Sequence, residues 1–226
     1  MKKIFLVLAL ASIIFSACRK NTDIDNTILP SFDFQWPAGT SDYAPYTNGS
    51  TFTYEIISGT PSVTDSFTYT VTKDTAIGGA TYRKLESNKP ALGPTYYANY
   101  NNGVVSNIAY NLNFQGVTVP VVKQTILKDN VPVAATWADT LNVVVSGFTI
   151  PVYFADTIKQ KDYSKNILGK DYPNTIYAKQ VINVASPIGP PPAPTAIDNY
   201  FAKGVGLVQK DATGNNVKIK RYNIVK

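Results

Sequence analysis

Covalent or acid–base chemistry needs a nucleophile, a base or a metal ligand, and this chain supplies few. Its 226 residues include no histidine, one cysteine (Cys18) and only two glutamates, Glu55 and Glu86. Without histidine, neither a Ser-His-Asp nor a Cys-His arrangement can be assembled. One cysteine and no histidine cannot make a zinc site. Asp23-Ile24-Asp25-Asn26 alternates carboxylates but lacks the glycine and terminal glutamate of a calcium loop. No metal, cofactor or cofactor-binding residue is therefore expected. What remains is aspartate. Asp65, Asp74, Asp139 and Asp156 fall at the ends of expected strands. Two carboxyl groups about 5–9.5 Å apart would suit glycoside-type hydrolysis. Turn aspartates more often hydrogen-bond their own backbone.

Cys18 has a different chemistry open to it. Lys2 and Lys3 precede Ile4–Phe15, which is apolar apart from Ser12. That run falls short of the roughly 20 apolar residues of a membrane span and fits the core of a secretion signal. Small residues follow, and Phe15-Ser16-Ala17-Cys18 resembles the bacterial lipoprotein signal, with Phe15 where leucine is usual. The resemblance implies cleavage before Cys18 and diacylation of its sulfur, making residues 1–17 a signal peptide and Cys18 the lipidation site. Two acyl chains anchor a protein stably. In the enteric version of this pathway an aspartate after the cysteine retains the protein in the inner membrane. Arg19 stands there instead, which by the same resemblance implies the outer membrane, facing the periplasm or the cell surface.

Removal of residues 1–17 leaves 209 residues with a net charge of +4. That is enough for one large β domain or two small ones, with a core that needs no disulfide. The charges are scattered without a basic block, so no nucleic-acid partner is expected.

The elements that would position these residues are read from alternation and turns. Residues 18–44 read as a lipid-anchored tether: Arg19–Asn26 is polar, and Pro30, Pro37 and Gly39 interrupt the remainder. Phe32, Phe34 and Trp36 alternate, so this part is expected to dock on the domain, leaving Arg19–Leu29 free. From residue 45 the chain reads as strands. Phe52, Tyr54 and Ile56 alternate with Thr51, Thr53 and Glu55, and Phe67, Tyr69 and Val71 alternate with Ser and Thr. Such a period of two gives one buried and one wet face. Gly78-Gly79 marks a turn, and Asn102-Gly103 between aromatic runs predicts a hairpin. Leu141–Val145 and Phe148–Ile158 follow as strands. Lys159–Pro173 reads as polar and irregular with a short helical turn, Ile176–Ala185 as a strand, and Ser186–Thr195 as a proline-rich loop. Tyr200–Lys210 and Val217–Val225 complete the strands.

Residues 45–130 and 131–226 form a candidate internal repeat. Each half has an aromatic opening, an alternating strand, a glycine turn, and an aromatic pair before a glycine (Tyr96-Tyr97 before Gly103, Tyr200-Phe201 before Gly204). Tyr200-Phe201-Ala202-Lys203-Gly204-Val205-Gly206-Leu207-Val208, with Gly49-Ser50-Thr51-Phe52-Thr53-Tyr54 and Gly79-Ala80-Thr81-Tyr82 upstream, resembles uncharacterised lipoproteins of Bacteroidota over most of residues 45–226. That resemblance implies an envelope address and no activity. Gly204 and Gly206 are expected to let a strand bend or be crossed closely by another backbone.

These observations predict a mainly β protein built as an antiparallel curved sheet or half-barrel, with a two-sheet sandwich as the alternative. Hairpin-length connections disfavour parallel pairing. The functional expectation is a lipid-anchored, non-catalytic envelope protein, held to the membrane by its N-terminal lipid and able to take an apolar or glycan ligand on its concave face. A carboxylate-dependent hydrolase is the alternative.

Overall fold

The computed structural model describes residues 39–59, 63–114, 117–145, 147–186 and 190–226. Cys18, the signal stretch, and Phe32, Phe34 and Trp36 lie outside them. The described residues contain twelve strands and no helix. They are β1 (Thr51–Ser58), β2 (Val63–Ile77), β3 (Ala80–Ser87), β4 (Tyr96–Asn101), β5 (Val104–Phe114), β6 (Val117–Lys128), β7 (Thr136–Val145), β8 (Phe148–Ile167), β9 (Lys170–Val184), β10 (Thr195–Ala202), β11 (Gly206–Ala212) and β12 (Asn215–Asn223).

All pairings are antiparallel in one sheet, ordered β6-β5-β4-β3-β2-β1-β12-β11-β10-β9-β8-β7. The first and last strands pair with each other, from Thr51↔Asn223 to Ser58↔Asn215. The two edges of the sheet, β6 and β7, are therefore consecutive in sequence. They meet through side chains rather than a ladder. Trp137 Nε1 on β7 donates to the Thr125 carbonyl on β6 at 3.0 Å, and Asp139 on β7 accepts the Thr125 N–H at 2.6 Å. The result is a nearly closed barrel in a single layer, the curved sheet expected from the sequence rather than the sandwich. β1–β6 fall within residues 45–130 and β7–β12 within 131–226, six strands to each candidate repeat.

Turn chemistry fixes the register. Asn102-Gly103 joins β4 to β5 with both residues at positive φ (47° and 79°), as a two-residue hairpin requires. Leu168-Gly169 does the same between β8 and β9 (50° and 84°). This overturns the reading of Lys159–Pro173 as irregular with a helical turn. β8 runs through to Ile167, and three register shifts against β9 between Ile158 and Lys165 scramble its alternation. Tyr200–Lys210, expected as one strand, is instead two, turning at residues 203–205.

One end of the barrel carries much of the buried core. Phe52, Leu85, Val105, Leu127, Ile158, Ile176, Phe201 and Ile219 are fully buried there or along the wall, each worth about 1.5–3 kcal/mol on burial. Residues 39–46 cross this end. The Gly39 carbonyl accepts the Tyr100 N–H (3.1 Å), the Asp42 carbonyl accepts the Gly204 N–H (2.6 Å), and Tyr43 Oη donates to the Asn174 carbonyl (3.1 Å). Tyr46 is buried edge-on to Phe52, with ring centroids 5.5 Å apart. Residues 40–44, expected at the end of the tether, are thus part of the fold.

Candidate functional site

The other half of the barrel is not filled. It holds a half-open cavity of about 350 Å³ to which ten of the twelve strands, all but β3 and β7, contribute. Its wall is mainly apolar and aromatic: Tyr54, Phe67, Tyr69, Tyr96 and Phe154, with aliphatic side chains between them. The loop between β3 and β4 forms its rim with Leu92, Gly93 and Pro94. Gly93 lies so close to Phe67 that a Cβ there would stand 2.3 Å from the ring. The absent side chain is what allows the loop to press onto the lining.

The tyrosine hydroxyls in this wall have partners. Tyr54 Oη donates to the Leu207 carbonyl at 2.8 Å and Tyr69 Oη to the Pro94 carbonyl at 3.1 Å. Burial pushes the Tyr54 and Tyr96 hydroxyls well above the usual phenol range. These residues therefore present neutral rings. Tyr54 stacks on Phe67 at 5.6 Å, and Tyr69 meets both Phe67 and Tyr96 edge-on at 5.2 and 5.1 Å. Such contacts fix a rigid aromatic panel.

Four other polar side chains reach the cavity: Asn107 (β5), Gln124 (β6), Gln180 (β9) and Lys210 (β11). Gln180 donates to both carboxylate oxygens of Asp156, at 3.2 and 3.3 Å. Asn107 Oδ1 is buried and meets no donor among the described residues. Lys210 owes its inward position to a β-bulge. Tyr200 pairs with Gln209 but Phe201 with Leu207, so Val208 is one residue extra on β11. The shift places Lys210 opposite Asn199 and Val217, on the same face as Leu207. Strict alternation from Leu207 would have put it outside.

Asp65 is exposed and pairs with Lys89 Nζ at 2.6 Å, whose hydrogen bond holds its carboxyl below the usual carboxylate range. Asp74 pairs with Arg83. Asp139 belongs to the β6–β7 seam. Asp156 is buried, 1% exposed, and burial pushes its carboxyl up to about 7, against the hydrogen bond from Gln180 and with a smaller contribution from the charge of Asp139. Asp139 and Asp156 are thus the two that the fold brings together, across the β7–β8 ladder where Trp137 faces Asp156. Both carboxylates are engaged by the scaffold, and neither lines the cavity. Cys18 lies outside the described residues. Among the described residues, no group of three or more Cys, Asp or Glu is placed to hold a metal.

The fold has solved counterparts. A candidate lipoprotein from Parabacteroides distasonis superposes with a TM-score of 0.52 at 11% identity, over 81% of this chain and 99% of the other. A candidate exported protein with a YmcC-like fold from Bacteroides fragilis gives a TM-score of 0.42 at 9% identity, over 81% of this chain and 100% of the other. A scan of protein-family models and a comparison with curated proteins found no match. At these identities the first likeness shows a shared fold.

Proposed function

We propose that the chain is a lipid-anchored protein of the outer membrane, tethered at Cys18, that holds an apolar ligand inside its barrel and performs no catalysis. The observation that carries this reading is the cavity. The barrel leaves about 350 Å³ open within it, in the roughly 300–1,000 Å³ range common for ligand sites. Its lining is mainly apolar with few polar groups, which is the composition of a binding pocket for an apolar body. Glycan recognition fits less well, because the Tyr54 and Tyr69 hydroxyls already bond backbone carbonyls and that of Tyr96 bonds Tyr46. The address rests on the N-terminal signal, and the lipoprotein and exported-protein descriptions of the two structural counterparts agree with it. A non-catalytic role is supported by the absence of histidine and by the structural engagement of the four aspartates singled out.

The test is a thermal-shift screen of the chain lacking residues 1–18, against single-chain lipids and against oligosaccharides. Stabilisation by lipids alone is the expected result. No response to lipids would remove the apolar-ligand reading, and a response confined to oligosaccharides would replace it.

A further inference from the structure

We propose that the ligand is a single-chain amphiphile with an anionic headgroup, bound with its headgroup at Lys210 and its chain along the aromatic panel of Tyr54, Phe67 and Tyr69. This inference rests on the cavity reading above and specifies the chemistry of that ligand.

Lys210 is the charged side chain among described residues lining a mainly apolar cavity whose other polar groups are neutral, and none of the ion pairs or hydrogen bonds among the described residues gives it a carboxylate. Acids on its own and neighbouring strands are committed elsewhere, and Asp198, beside its ladder partner Asn199, accepts from Tyr177 Oη at 2.8 Å. Asp211, next in sequence, faces the opposite side of the strand and accepts from Gln209 Nε2 at 2.6 Å. Asp156 stands across β9 and β10, held by Gln180. An ammonium among apolar groups is costly unless an anion compensates it. In keeping with this, burial pulls the Lys210 ammonium below the usual lysine range.

The bulge gives a second, independent line. An extra residue at Val208 disrupts the β10–β11 ladder, and its result is to turn a lysine inward where regular pairing would leave it in solvent. Bulges commonly re-aim a side chain at a site. Asn107 faces the same cavity, and its amide NH2, not its Oδ1, is the group able to donate to an anion. The volume then limits the tail. About 350 Å³ is near the lower end for ligand sites, which suits one chain rather than two.

The experiment measures dissociation constants of decanoate, decyl phosphate and decanol, with acetate and inorganic phosphate as chainless controls, on the chain lacking residues 1–18 and on its Lys210→Met and Lys210→Arg variants. The wild-type chain should bind at least one of the two decyl anions at least tenfold more tightly than decanol. Lys210→Met should bring the three together, and Lys210→Arg should restore the preference. Decanoate and decyl phosphate separate a carboxylate from a phosphate source, and a tenfold preference for either anion upholds the proposal. Equal binding of decanol and both anions to the wild type overturns the anionic headgroup but leaves the cavity reading intact. Acetate or phosphate binding as tightly as its decyl counterpart overturns the amphiphile. Failure of all three decyl compounds to bind overturns the cavity reading itself. The wild-type comparison stands even if Lys210→Met does not fold.

Discussion

Asp139 on β7 accepts the backbone N–H of Thr125 on β6 at 2.6 Å, and Trp137, two residues earlier on the same strand, donates to the carbonyl of that same Thr125 at 3.0 Å. Two side chains thus imitate, at one residue, the paired donor and acceptor of a neighbouring strand. An unpaired sheet edge offers a row of such groups to any other chain. Here the two edges satisfy each other where β6 ends and β7 begins.

Removing that acceptor should loosen the seam. Asp139→Ala leaves the Thr125 N–H without its partner and should destabilise the protein by about 1–3 kcal/mol. Asp139→Asn, which keeps an acceptor oxygen, should lose less. Amide hydrogen exchange is the sharper readout: protection of Thr125 should fall in Asp139→Ala while β1 and β12 keep theirs. Unchanged protection at Thr125 would mean that the carboxylate does not hold the seam.

Asp156 gives stability a pH dependence. Its carboxyl titrates near 7 in the fold and at 3.8 when unperturbed. Between these values the folded chain holds a proton that the unfolded chain has released, so stability falls as pH rises from about 4 to about 7. The loss is on the order of a few kcal/mol at about 1.36 kcal/mol per pKa unit. Asp156→Asn removes the titration and keeps an acceptor for Gln180. Its melting temperature should exceed that of the wild type at pH 8, and the gap should close towards pH 4. Parallel pH profiles for the two proteins would show that Asp156 does not titrate in this window.

Gly206 tests the crossing of residues 39–46. It lies at φ +93°, and a Cβ there would stand 3.3 Å from Tyr46 Oη and 3.5 Å from the Tyr43 carbonyl oxygen. Gly206→Ala combines backbone strain with this contact and should cost about 1–3 kcal/mol. Gly214, at φ +74° with nothing within 4 Å of a Cβ, carries the strain alone, so Gly214→Ala should cost less. Equal denaturation midpoints for the two variants would remove the close approach from the explanation.

Cys18→Ser should abolish incorporation of labelled palmitate and leave an uncleaved or soluble precursor. Continued labelling of that variant would refute Cys18 as the lipidation site.

The sequence reveals some of these features and hides others for physical reasons. Alternation identified β1 and β2 because each buries one face without interruption from Phe52 to Ile56 and from Phe67 to Val71. Asn102-Gly103 identified its hairpin because few other pairs accept positive φ at both positions. β8 was obscured beyond Ile158 because its register shifts break the period of two on which strand reading depends. Lys210 was invisible for the same reason. Its inward orientation depends on an extra residue at Val208 that alternation does not reveal, and a lysine counted from Leu207 falls on the wet face. Asp139 and Asp156 were legible as candidate chemistry. Their engagement by Thr125 and Gln180 was not, because those partners lie 14 and 24 residues away in sequence.

The pairing of β1 with β12 has a consequence for how the molecule can be assembled. A meander closed by its own first and last strands has its natural gap in mid-sequence, at β6 and β7. Strand β1 therefore keeps one bare side until the C-terminal residues have been delivered, and the closing contact carries nearly the longest sequence separation that the chain allows. Such contacts form slowly, after loop-closure entropy has been overcome. A chain arrested before its C-terminal residues are added would present the Thr51–Ser58 edge to its neighbours. A circular permutant opened between β6 and β7, with the present ends of the fold joined, would make the sheet in strict order from one edge to the other and should refold faster.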